Sequence, residues 1–149
     1  MTSVPYADAT GGSARDEITK ILRRFGCEAV GFMDDYTKHE VLLAFTHRGR
    51  RVQLVANAKG WAALYLKHNP YSLRRRQTRI EYEQAALRQG HLAVNSILRD
   101  WVKGSVTAVE CGILSFDAVF MPYMLAPDGR PIIERLQEQK LLPQPTEVP

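Results

Sequence analysis

Ile18, Ile21, Leu22 and Phe25 recur at the three-and-four spacing of an amphipathic helix. That helix is predicted to begin near Ser13 or Ala14. Asp16 and Glu17 sit in its first turn, Arg23 and Arg24 in its last, and Gly26 stands where a helix ends. Three alternating runs follow: "EAVGFM", "VLLAFTHRG" and "VQLVANA". The polar turns "DDYTKHE" and "GRR" join them, so they read as an antiparallel meander with one packed face. Helical spacing returns from Lys59 to Lys67 through Trp61, Leu64 and Tyr65, and Pro70 ends it.

The longest pattern starts near Ser72 and runs to Lys103. Ile80, Leu87, Val94 and Trp101 recur every seventh residue. Gly90 lies beside this stripe, which predicts either close approach of another backbone or a break between two helices. Gly104 and Ser105 interrupt the stripe, and Thr107-x-x-Glu110 has the form of a capping box. Val106, Val109, Ile113, Phe116, Phe120 and Met124 then predict a second long helix over 105–125, antiparallel to the first. "APDGRP" is a turn, and Pro131 opens a short last helix through Leu136. The expected class is α+β: helix, three-stranded antiparallel meander, helix, then a long helical hairpin and a short C-terminal helix. Residues 1–13 are expected to form a flexible arm, 14–142 one domain, and 143–149 an extended tail.

Charge changes this picture of a plain globular chain. Residues 1–47 carry 5 Lys/Arg and 7 Asp/Glu, residues 48–103 carry 12 and 3, and residues 104–149 carry 3 and 6. Positive charge is thus concentrated in the middle third, a pattern that suits an acidic partner. Arg48, Arg50 and Arg51 lie in the turn between the second and third strands. Arg74, Arg75, Arg76 and Arg79 open the long helical pattern, and Lys59 stands on the helix between the two groups. Guanidinium groups bind phosphate bidentately and release counterions from nucleic acid. A helix start is an unfavourable place for cations unless an anion is recruited, or unless the helix begins only after Arg76. Tyr71, between Pro70 and Ser72, is the candidate for an exposed stacking ring, whereas Trp61 and Tyr65 fit a core.

Signals for catalysis are sparse. Asp34, Asp35, His39 and Glu40 form an acidic turn, but the third strand reads Gln53-Leu54-Val55 where a nuclease would place E-x-K. The four histidines and two cysteines show no zinc spacing, and no phosphate-binding glycine loop or nucleophile elbow occurs. No catalytic residue, metal or cofactor is expected. Cys27 and Cys111 read as small packed thiols. The first residues lack a basic, then apolar, secretory signal, and no apolar run approaches the roughly 20 residues of a membrane span, so a cytoplasmic location is expected.

The segments "ARDEITKILRRFGC", "AKGWAALYLKHNPYS" and "SILRDWVKGSVTAVECGILSF" resemble small uncharacterised proteins encoded in phages and prophages of proteobacteria. That resemblance implies a phage or mobile-element setting and attaches no activity. The order helix, meander, helix is similar in topology to double-stranded-RNA-binding domains and to single-strand annealing recombination proteins, though neither family's residue motif is present.

Three readings follow. The first is a non-enzymatic nucleic-acid-binding protein, for DNA rather than RNA, concerned with replication, recombination or host defence. The second is an inhibitor or interaction module that docks on a host protein or nucleoprotein complex. Phe116, Phe120, Met121 and Met124 would then serve as a partner or homodimer face. The third is a metal-dependent nuclease.

Overall fold

The computed structural model describes residues 4–146. Helix α1 (Ala14–Phe25) leads into strands β1 (Ala29–Asp35), β2 (Glu40–His47) and β3 (Arg50–Asn57). Helices α2 (Ala58–His68), α3 (Arg79–Glu110), α4 (Phe116–Phe120) and α5 (Ile132–Glu138) follow, with a 3-10 turn at Met121–Tyr123. The strands form one antiparallel sheet in the order β1-β2-β3. This is the α+β meander with flanking helices that the alternating and helical runs predict.

The period of two decides which face is covered. Val41, Leu43 and Phe45 on β2 point inward, and their cross-strand partners Val52 and Leu54 do the same. Ile18 and Leu22 of α1, with Val94, Leu98, Val102 and Val106 of α3, close over that face. Burying each such side chain contributes about 1.5–3 kcal/mol. The β2–β3 turn is two residues long. Arg48 and Gly49 both have positive φ, 50° and 76°, the type I′ geometry that suits strand twist.

The largest departure from expectation concerns α3. It is a single helix of 32 residues, about 48 Å long, where a helical hairpin is expected. Gly104 does not break it, because Val102 and Val106 are fully buried on the opposite side and outweigh one glycine. Thr107 caps nothing: its hydroxyl donates to the Lys103 carbonyl at 2.7 Å, inside the helix. The stop is Gly112, at φ 72°, with the Ile113 N–H reaching back to the Ala108 carbonyl at 2.9 Å. The start is also displaced, from Ser72 to Arg79. Thr78 is the N-cap and accepts from the Glu81 N–H at 3.2 Å. Gly90 meets the first of its two expected explanations. A Cβ there would lie 2.8 Å from the carbonyl oxygen of Ala58, so α2 and α3 touch backbone to backbone.

The described part of the expected arm, residues 4–13, is seated on α2 and α3. Val4 is buried with Trp61 and Ala93. The Trp61 indole N–H donates to the Pro5 carbonyl at 2.9 Å, and the Tyr6 hydroxyl donates to Asp100 at 2.6 Å. A buried indole N–H needs an acceptor, and the arm's backbone supplies it. Residues 1–3, and 147–149 of the expected extended tail, lie outside the described residues. Residues 143–146 of that tail are exposed and without regular structure. No helix among the described residues is long and apolar enough to cross a membrane.

Candidate nucleic-acid interface

The ten residues between α2 and α3, 69–78, carry Arg74, Arg75 and Arg76, with Arg79 as the first residue of the helix. The segment lacks regular structure, yet its bonds define its path. The Tyr82 hydroxyl donates to the Asn69 carbonyl at 2.5 Å, and the Tyr71 hydroxyl donates to the Gln77 carbonyl at 2.7 Å. The Arg75 guanidinium lies 4.4 Å from the Tyr82 ring centre, and that of Arg79 lies 5.6 Å from the Tyr71 ring. Burial pushes the Tyr82 phenol above its ordinary range, so it stays a donor.

None of these four arginines meets a carboxylate within 4.0 Å among the described residues. The i,i+4 partner of Arg79, Glu83, is not engaged; Arg79 turns to Tyr71 instead. Of the other arginines, Arg15, Arg24, Arg50, Arg99, Arg130 and Arg135 are paired with carboxylates, whereas Arg23, Arg48, Arg51 and Arg88 have none within 4.0 Å among the described residues. The helix begins after Arg76, yet Arg79 is its first residue and the Arg75 guanidinium lies over Tyr82 in its first turn, so cations stand at the positive end of its dipole. Tyr71 is half-buried, one ring face occupied by Arg79 and its edge near Tyr82, so it is not a free stacking ring.

The other arginine group lies far away. Arg50 reaches Asp117 at 2.5 Å and stacks 4.1 Å over Phe116, just beyond the C-terminal end of α3. Arg79 opens α3 at the opposite end. The two groups therefore stand near opposite ends of a helix about 48 Å long and do not form one patch. Arg48 and Arg51 are exposed at the hairpin, and Lys59 is exposed in the first turn of α2.

An exposed aromatic that sequence reading passes over is Tyr36, at 75 % exposure in the β1–β2 turn. It rims a hollow of about 370 Å³ with His39, Gln84, Leu87, Arg88 and His91. Ile80, Gln84, Leu87 and His91 follow helical spacing on α3, so one stripe runs from the arginine segment to this hollow. That stripe carries no fixed cation itself; Arg88 lies along one side of it and Glu83 along the other. His39 Nδ1 and His91 Nε2 are 3.3 Å apart, one ring donating to the other. Burial, then the neighbouring His39, lowers the pKa of His91.

The acidic turn is already committed. Arg15 holds Asp34 through both oxygens and depresses its pKa, while Asp35 accepts from the Thr37 and Lys38 N–H groups at 2.9 Å. Among the described residues no group of three or more His, Cys, Asp or Glu is placed to hold a metal. Cys27 and His47 are 3.9 Å apart, the one cysteine–histidine contact in the described residues. Burial pushes the Cys27 thiol up to about 11, the opposite of an activated nucleophile.

The expected partner face is mostly core. Phe120 is fully buried against Phe45 and Trp101, and Phe116 is stacked on His47 and Phe25. Met124 packs on the core beside its bridge to Val52, and Met121 alone is exposed. The long helix that would have presented them does not form, and a short turn folds them inward. Comparisons of this chain with protein-family models, curated proteins and solved structures give no match.

Proposed function

We propose that this protein binds nucleic acid without transforming it, in the phage or mobile-element setting that its sequence resembles. Phosphates are held by Arg74, Arg75, Arg76 and Arg79, and the strand then follows α3 past Arg88 to Tyr36. One observation carries this reading: these arginines are unpaired on a tethered segment, in a molecule that pairs many of its others with acids. Arg75 and Arg79 are placed by tyrosine rings without being neutralised, which suits a polyanion because these two lose little side-chain order when phosphate arrives. Tyr36 replaces Tyr71 as the stacking ring. Contacts dominated by backbone phosphates give little sequence preference. Fluorescence anisotropy with labelled single-stranded DNA, duplex DNA and RNA across a salt series tests it. Affinity should fall steeply with salt; absence of binding at low salt, or a flat response, would sink the reading.

A second reading has its own support. Leu73 is 93 % exposed within the arginine segment, and Ile80 beside it is 67 % exposed. An apolar side chain among cations fits a protein surface better than a phosphate backbone. Capture of a defined host protein that survives nuclease treatment, and is lost with Leu73→Ser, would favour an interaction module.

A further inference from the structure

The face of the sheet turned away from α1 and α3 is uncovered, and its residues are sorted by row. Strand register sets the rows across β1, β2 and β3. At one end stand Asp35, Glu40 and Asn57; next come the bulky apolar side chains Met33, Leu42 and Val55. Gly31, Ala44 and Gln53 form the third row, and Ala29, Thr46 and Arg51 the last. Met33 is 64 % exposed and Val55 57 %, on either side of the half-buried Leu42, which leaves an apolar row open on this sheet face. Ala29, Gly31, Ala44 and Thr46 are the small residues of the last two rows, and the hollow of about 250 Å³ over them is bounded on the β3 side by Gln53 and Arg51. The face thus has a ridge beside a trough, with carboxylates at the ridge end and a guanidinium at the trough end.

We infer that this face binds a second copy of the same chain. Sheets pack face to face at about 10 Å with strands nearly aligned. A two-fold axis lying between the sheets, across the strands and midway between the second and third rows, reverses strand direction. Each strand then lies over its own copy. Met33 comes over Gly31 of the second copy, Leu42 over Ala44, and Val55 over Gln53. The Met33 and Leu42 part of each ridge enters the other's trough, while Val55 packs on the Gln53 side chain. Arg51 comes over Asn57 beside Glu40, so opposite charges meet at both ends. One surface satisfies itself in this way, as an isologous interface must. The surface lies outside the arginine segment and Tyr36, so the inference stands apart from nucleic-acid binding.

Sedimentation equilibrium from about 1 to 100 μM tests it. The wild type should dimerise in this range. Ala44→Arg fills the trough with charge and should weaken association at least tenfold, while its far-ultraviolet circular dichroism and unfolding midpoint stay near wild type, since the site is a half-exposed outer position. Met33→Ser should weaken it without blocking the trough. Arg51→Glu should weaken it, and adding Glu40→Arg should restore part of the loss. A wild type that is monomeric at 100 μM would overturn the inference and leave the face to another partner. A dimer untouched by Ala44→Arg and Met33→Ser would overturn it too, by placing the contact elsewhere.

Discussion

Two glycines on one helix should respond to alanine with opposite signs. At Gly90 a new methyl meets the Ala58 carbonyl oxygen at 2.8 Å, so α2 must move or α3 must bend. Overpacking of this sort costs about 1–3 kcal/mol, more than the helix propensity gained. At Gly104 nothing lies within 4 Å of the added carbon, and Gly104→Ala should stabilise by about 0.5–1 kcal/mol. Urea denaturation of the two variants measures both, and equal signs would contradict the assigned packing. At this scale the sequence was informative in type but not in choice. Gly90 announced a special position, and only the structure selects backbone contact over a helix break. Tyr71 looked exposed because its neighbours are loop formers, but its hydroxyl found the Gln77 carbonyl. Tyr36 carried no local signal, since exposure in a turn depends on what packs nearby.

Elements built on regular periods were legible, and their ends were less so. The α1 helix, the meander and α2 follow from spacing and punctuation alone. The start of α3 was misplaced at Ser72, although Thr78-x-x-Glu81 is a capping pattern of the same form as Thr107-x-x-Glu110. The two patterns are alike locally, and tertiary burial of Val102 and Val106 decides that the second stays within the helix. At the hairpin end, His47 packs against the rings of Phe25 and Phe116, at 4.4 and 5.0 Å, and those two rings also meet each other at 6.2 Å. Burial, then Arg48, lowers its pKa below the ordinary 6.5. Below that ordinary value the unfolded chain takes up a proton that folded His47 resists. The contribution of His47 is therefore complete above about pH 6.5 and is lost as pH falls below it. His47→Phe keeps the ring stack and should make stability less sensitive to pH between 7.5 and 5.5, with the shift at His91 remaining. Unfolding midpoints at the two pH values give the comparison, and an unchanged pH response would show that His47 does not set it.

Across the whole molecule, charge by thirds pointed to the middle of the chain but not to a place in space. The two arginine groups are close in sequence because β3 and α2 are short. They are distant in the fold because α3 runs from one group to the vicinity of the other. The candidate interface is accordingly one end of the molecule, with the hairpin arginines partly consumed by Asp117 and Phe116. Tyr36→Ala should then weaken single-stranded DNA binding about 5- to 160-fold, the equivalent of one base stack of about 1–3 kcal/mol, and Tyr71→Phe should leave it near wild type. Equal effects of the two changes in anisotropy titrations would contradict the assignment of the stacking ring.

The most direct test replaces Arg74, Arg75 and Arg76 together by glutamine and follows affinity for duplex DNA against salt. The three side chains make no ion pair among the described residues, and only Arg75 stacks on a ring, so folding stability should stay within about 1 kcal/mol of wild type. Each neutralised phosphate adds about 0.9 to the steepness of log affinity against log salt, so the triple variant should have a slope shallower by up to about 2.7. Arg48→Gln with Arg51→Gln, at the far end of α3, should leave the slope unchanged. A folded triple variant that keeps the wild-type slope would contradict the account, as would a larger change from the hairpin pair.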